Sequence, residues 1–231
     1  MNVMAINLPS ITTSLNERGY ASIPRFLLKE DCDALAGMYK DPLLYRNTIN
    51  MQRYRFGKGE YKYFKYPLPS MIQTLREELY SPLAAIANDW MQQLSIETRF
   101  PMKHKDLLEQ CEDHDQLRPT PLILHYTTGG YNTLHQDLYG EVYFPFQVLL
   151  MLSQKGTDYE GGEFVLTEQV PRAQSKATVL TPNQGDAIIF TTNFRPVKGS
   201  RGYYRANMKH GISEVKSGER FALGIIFHDA T

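Results

Sequence analysis

From Pro119 to the C-terminus the chain breaks into short apolar or alternating runs separated by turn residues: PLILHYTT, YNTLHQDL, VYFPFQVLLMLS, GEFVLTE, ATVLT, DAIIFTT, GYYRANMKH and RFALGIIF. Runs this short, rich in β-branched and aromatic residues, read as about eight strands. Helical periodicity is confined to the sequence upstream. That ordering predicts an antiparallel sandwich or jelly roll and argues against a parallel α/β sheet, in which helices and strands alternate.

The first 115 residues are expected to be mostly helical. SITTSLNERG, closed by Gly19, and KEDCDALAGMYK are short amphipathic candidates. A longer helix is predicted from Ser70, where Ser-Met-Ile-Gln has the capping-box pattern, with Ile72, Leu75 and Leu79 on one face. Ser81-Pro82 is expected to interrupt it and to start a second helix carrying Leu83, Ile86, Trp90 and Leu94. Between these regions, QRYRFGKGEYKYFKYPLP suggests two short strands around Gly-Lys-Gly. With no repeat or linker, residues 1–231 are expected to form one domain, in which residues 1–115 buttress a β core over residues 119–231.

Charge names no partner, since 25 Lys and Arg balance 25 Asp and Glu. The two cysteines, Cys32 and Cys111, lack metal-ligand spacing and point to a reduced protein, though a single disulfide is compatible with them. The N-terminal stretch has no signal-peptide pattern, and no apolar run approaches the roughly 18 residues that span a membrane. A soluble cytoplasmic protein without membrane contact is expected.

Within the strand region, His135 and Asp137 in TLHQDLYG project to one side of a strand, because side chains alternate with a period of two. They could simply be polar residues on a solvent face, or they could be two ligands of one metal. A third ligand is expected on a later strand. His104 and His114 lie in the acidic stretch KHKDLLEQCEDHD and read as solvated surface residues. His125 reads as structural and His228 as a cap after the last strand. His210, 73 residues after Asp137 and at the end of a strand candidate, is the remaining choice. Two imidazoles and a carboxylate make the facial triad of non-haem Fe(II) oxygenases, with zinc as the chemical competitor. Arg220, ten residues after His210, favours iron. A guanidinium there can grip the distal carboxylate of 2-oxoglutarate, a group that a zinc hydrolase does not need.

The segments HQD, HGISEVKSGER and GGEFVL resemble the Fe(II)/2-oxoglutarate dioxygenase superfamily. From about residue 50 onward, QRYRFGKGEYKYFKYPLP, HQDLYGEVYFPFQV, GGEFVLTEQVPRAQS and RFALGIIFHDA resemble a bacterial family of these enzymes expected to demethylate damaged DNA oxidatively. The resemblance implies a mainly β fold with added helices, a cupin-like double-stranded β-helix. It implies Fe(II) on His135, Asp137 and His210, 2-oxoglutarate on Arg220, O₂ as cosubstrate, and Tyr126 near the cosubstrate. Two positions depart from related enzymes. Ala222 stands where many members have a serine beside the arginine, and Ile226 where DNA-alkylation demethylases carry a second arginine.

Residues 191–210 carry Arg195, Lys198, Arg201, Arg205 and Lys209 without an acid, and lead straight into His210. Residues 46–66 carry six basic residues against Glu60, interleaved with aromatics. Basic groups follow phosphates and aromatics stack on unpaired bases. A single-stranded or damaged nucleic-acid substrate is therefore expected, with Arg201 and Arg205 as candidate contacts. The alternatives are hydroxylation of a protein or amino-acid side chain, proline among them, and a non-enzymatic jelly-roll binding module. In a blander reading, Tyr54, Phe56, Tyr61, Tyr63 and Phe64 only pack against the sheet.

Overall fold

The structure is a computed structural model and describes residues 7–138 and 140–231; residues 1–6, part of the stretch without a signal-peptide pattern, lie outside the described residues. The N-terminal half contains α1 (Leu8–Arg18), β1 (Tyr20–Ile23), α2 (Lys29–Gly37), β2 (Tyr45–Asn50), β3 (Gly57–Lys58), β4 (Glu60–Phe64), α3 (Ser70–Gln93) and α4 (His104–Glu112). There follow β5 (Leu122–Thr127), β6 (Tyr131–His135), β7 (Phe146–Met151), β8 (Tyr159–Gly161) and β9 (Phe164–Gln169). The chain closes with β10 (Lys176–Leu180), β11 (Ala187–Thr191), β12 (Phe194–Gly199), β13 (Gly202–Ile212) and β14 (Val215–Ile226). All eight strand segments read from the sequence are present.

The strands form two antiparallel sheets. The larger runs β1-β11-β7-β14-β5-β4-β2, with β8 on β14; the smaller runs β10-β9-β13-β6-β3, with β12 on β13. Each sheet supplies residues to a shared interior that includes Tyr126, Leu149, Met151 and Ala222 from the larger and Phe164, Leu166 and Ile212 from the smaller. The opposite face of the larger sheet, with Phe146, Val148, Leu150, Leu223 and Ile225, packs against Ile72, Leu75, Leu83 and Trp90 of α3. Covered on both faces, β7 is buried at all six positions, which accounts for a run that is apolar except at Gln147.

Several expectations change. The first 115 residues are less helical than predicted, because β1, β2 and β4 extend the larger sheet and β3 the smaller. Gly-Lys-Gly is not a hairpin turn: β3 pairs with β6 while β4 pairs with β2 and β5, so the chain crosses between sheets at Gly59. The interruption expected at Pro82 does not occur, and α3 runs for 24 residues. Proline costs one helical hydrogen bond there. Burial of Leu79 and Tyr80 before it and of Leu83, Ala84 and Ile86 after it keeps the helix continuous. Ser70 is the first helical residue rather than its cap.

His104, expected on the surface, is buried at the start of α4 with Nε2 2.8 Å from the Phe227 carbonyl, and burial holds its pKa down at about 4. His228 is likewise buried, its Nδ1 accepting from the Phe144 N–H at 3.1 Å. His125 stacks on Phe221 at 4.3 Å, in keeping with a structural role. Cys32 and Cys111 are both buried and unpaired with each other. Among the described residues, no helix is long and apolar enough to cross a membrane.

Arg76 of α3, fully buried, ties the helical layer to the end of β14. It donates to the carbonyls of Ile226 (2.9 Å) and Phe227 (3.0 Å) and pairs with Asp229 at 2.6 Å.

Candidate active site

His135 ends β6, and its cross-strand partner on β13 is His210. Paired residues of neighbouring strands project to the same side, so the register alone brings the imidazoles together, with ring centroids 4.2 Å apart. Asp137, two residues beyond the end of β6, places its carboxylate between them. Oδ1 is 3.4 Å from His135 Nε2 and Oδ2 is 3.3 Å from His210 Nε2. One ligand atom from each residue lies within 4.8 Å of the others.

The charge environment suits a cation. Burial alone would raise the pKa of Asp137, but hydrogen bonds and charge from both imidazoles hold it well below the usual carboxylate range. His210 is pushed down by burial, whereas His135 is raised because Asp137 outweighs its burial. His135 Nδ1 lies 2.7 Å from the Thr133 carbonyl, which as acceptor fixes the proton on Nδ1 and leaves Nε2 free to ligate.

Arg220 lies on β14 opposite Tyr126 of β5 and is completely buried. Its guanidinium carbon is 5.7 Å from the Tyr126 ring and 5.8 Å from the Tyr159 ring, yet none of its three nitrogens has a hydrogen-bond partner among the described residues. The GGEFVL motif makes room for it. A Cβ at Gly162, whose φ is +60°, would meet the Arg220 Cδ at 2.9 Å.

Between the triad and the larger sheet lies a cavity of about 240 Å³. Its floor follows the inward faces of β7, β14 and β5, through Gln147, Leu149, Gly224, Ile226, Leu122 and Leu124. Tyr61 and Tyr63 of β4 and Phe56 supply aromatic walls. Gln147 escaped the sequence reading. The available signal was a single polar residue inside the apolar run FPFQVLLMLS.

The basic segments divide. Arg201 sits in the turn between β12 and β13, nine residues from His210 and so roughly 30 Å along the strand. Arg205 is an odd number of residues from His210, which puts it on the opposite face of β13, where it packs over Phe194 at 4.8 Å. Neither reaches the cavity, and Arg195 is held by Glu168 at 2.6 Å. In the first segment, Phe64 is core as the packing reading expects, and Arg46 packs on Tyr63 (4.4 Å), whereas Lys62 packs on Tyr39 (3.8 Å) rather than facing water. Arg53 to Phe56 behave differently. Tyr54 and Phe56 are exposed and stacked, 5.5 Å apart with rings inclined by 19°, and Arg53 and Arg55 beside them are exposed. The Phe56 carbonyl accepts from the Thr133 N–H at 2.8 Å, which fixes Phe56 against the cavity two residues from His135.

The donor set fits Fe(II): two imidazoles and a carboxylate on one side, and open space opposite. A buried cation lacking an anion stands at the end of the same interior. Solved structures share the fold. A Pseudomonas putida prolyl-4-hydroxylase superposes with a TM-score of 0.54 at 15% identity, covering 96% of this chain and 100% of its own. A Burkholderia pseudomallei oxidoreductase of the 2OG-Fe(II) oxygenase family gives a TM-score of 0.56 at 15% identity, covering 98% and 93%. Uncharacterized proteins of two Mycobacterium tuberculosis strains are 48% identical over 167 residues, 72% of this chain and 72% of theirs. Residues 59–230 match the Oxygenase-NA family, described as an oxygenase "catalysing oxidative methylation of damaged DNA". The chain belongs to that family of oxygenases and is an oxidoreductase.

Proposed function

We propose that the protein removes methyl groups from single-stranded or damaged nucleic acid by oxidation, with His135, Asp137 and His210 holding the iron and Arg220 the distal carboxylate of 2-oxoglutarate. The observation that carries this reading is the juxtaposition of the triad with an aromatic-walled cavity lined by Phe56, on which exposed Tyr54 stacks, with exposed Arg53 and Arg55 beside them in the chain. A base to be modified must leave its stack, and an exposed aromatic pair flanked by arginines suits an unstacked strand.

Each residue has a physical task. His135 and His210 offer neutral nitrogens and Asp137 the charge, leaving the remaining positions open towards the cavity. Arg220 neutralises a carboxylate in a site closed to water, where a bidentate grip is strong. Ala222 cannot assist it, but the Tyr126 hydroxyl, buried beside Arg220, can. Bound Fe(II) with 2-oxoglutarate and O₂ supplies the oxidation of a substrate C–H bond to C–OH, as 2-oxoglutarate becomes succinate and CO₂. On an N-methyl group the product is an N-hydroxymethyl, which releases formaldehyde and leaves N–H. The apolar floor and Phe164 and Phe190 beside His210 keep bulk water from the reacting carbon.

The test incubates the protein, Fe(II) and 2-oxoglutarate with methylated single-stranded oligonucleotides and, separately, with proline-containing peptides. Formaldehyde from the oligonucleotides is expected, with binding whose salt slope is about −0.7 per phosphate contact. Arg53→Ala and Arg55→Ala should flatten that slope, and Arg201→Ala should not. A 16-dalton gain on a peptide, with inert oligonucleotides, would make the protein a side-chain hydroxylase instead.

A further inference from the structure

Gln147 is the polar exception on the cavity floor. It lies in the middle of three larger-sheet strands, with Phe190 of β11 as one cross-strand partner and Ile226 of β14 as the other. Phe190 packs against His210 at 4.7 Å, so Gln147 stands level with the metal cluster. It is only 5% exposed, and its Nε2 has no hydrogen-bond partner among the described residues. Leaving such a group unpaired is unfavourable, and an apolar residue there would remove the cost.

The arrangement calls for a ligand that supplies hydrogen-bonding partners. Arg220 is six residues along β14 from Ile226, roughly 20 Å of strand. A five-carbon diacid gripped by Arg220 lies on that side of the triad, whereas Gln147 faces the space at the metal's own level, which is left to substrate. The floor there is flat, because Gly224 presents no side chain between Leu149 and Leu122; a Cβ would meet the Leu122 Cδ2 at 3.0 Å. A planar group therefore fits between Gln147 and the wall of Tyr61 and Tyr63.

We propose that Gln147 is the residue that reads the substrate, its carboxamide pairing with the hydrogen-bonding edge of a nucleobase laid over Gly224 and bounded by Tyr61 and Tyr63. A carboxamide carries a donor and an acceptor side by side and so matches base edges with the complementary pair. This rests on the nucleic-acid reading of the site and extends it by naming the group that recognises the base.

The test uses Gln147→Leu and Gln147→Met in the full chain loaded with Mn(II) and 2-oxoglutarate. Binding is measured by fluorescence anisotropy to a short single-stranded DNA carrying one N-methylated adenine and to its unmethylated twin. Losing the hydrogen bond should weaken the methylated strand about 2- to 12-fold and reduce its preference over the twin. The 2-oxoglutarate affinity should change by much less. The ligand-free variants should melt higher than the wild type, by about 2–12 °C, the reverse of what loss of a structural contact produces. The inference is overturned if both variants melt lower, if 2-oxoglutarate affinity falls as far as strand affinity, or if strand affinity is unchanged. Wild-type protein that binds neither strand would sink the nucleic-acid reading itself, and this inference with it. Wild-type binding that the variants retain in full would sink only the role of Gln147.

Discussion

Replacing Arg220 with methionine should make the protein more stable and unable to hold its cosubstrate. The side chain is completely buried, and no carboxylate meets its guanidinium among the described residues, Tyr126 and Tyr159 being its polar neighbours. An unpaired buried ion costs several kcal/mol, of which the contacts with Tyr126 and Tyr159 return about 0.5–2 kcal/mol each. A net penalty of about 2–4 kcal/mol remains, and methionine keeps most of the stem volume while removing it. At about 2–4 °C per kcal/mol for a chain of this size, the ligand-free variant should melt about 4–16 °C higher. The clamp itself should be worth about 3–5 kcal/mol as two charge-assisted hydrogen bonds, so 2-oxoglutarate affinity should drop roughly 150- to 5000-fold. The assay is thermal melting with Mn(II) in place of Fe(II), across a 2-oxoglutarate titration. At 100 times its dissociation constant, the cosubstrate stabilises the wild type by about 2.7 kcal/mol, or about 5–11 °C. The variant should show almost none of that shift. A variant that melts below the wild type, or that keeps the 2-oxoglutarate shift, would refute the clamp and pass the role to another cation.

His135→Ala and Asp137→Ala should each lower metal affinity by more than the roughly 10- to 100-fold typical of losing a group that merely supports a ligand. Circular dichroism should remain native, since both residues lie at or just past a strand end; a normal metal isotherm in either would dissolve the triad. Arg76→Ala should cost about 3–5 kcal/mol, because it strands Asp229 in the interior, and this is read as a lower denaturant midpoint with an unchanged slope. Acid should destabilise the protein well before its carboxylates protonate. Burial holds His104 at about 4 and His228 at about 3, so both stay neutral in the fold while the unfolded chain protonates them below about 6.5. Stability is therefore whole above about pH 6.5 and falls, by up to about 1.4 kcal/mol per pH unit for each histidine, towards pH 4 and 3 respectively. Denaturant midpoints across that range should show the slope, His104→Asn should remove about half of it, and a flat profile would contradict the buried neutral histidines.

What the sequence determined by itself was whatever depends on local periodicity and on spacing along one strand. Alternation over a few residues marks the strands after Pro119, and a period of two pairs His135 with Asp137, although Asp137 lies past the end of β6 and reaches the site from the segment after the strand. His210 was legible as a histidine at a strand end and Arg220 by its spacing from it, but it is the pairing of β13 with β6 that sets His210 opposite His135. Local rules failed where burial outweighed them. The helix crosses Pro82 because apolar residues on both sides are worth more than one missing hydrogen bond. His104 reads as surface from its acidic neighbours but is covered by Phe227 and Tyr80, which are distant in sequence. The charge run before His210 looked like a site rim, yet strand parity turns Arg205 away, and the length of β13 carries Arg201 far from the metal. Only the tertiary structure could put Phe56 against the cavity, since β3 reaches β6 by crossing from one sheet to the other. Only it could show that Gln147, one residue in an apolar run, faces the cavity. An unpaired amide is defined by the absence of partners from the rest of the chain, and no local pattern encodes that.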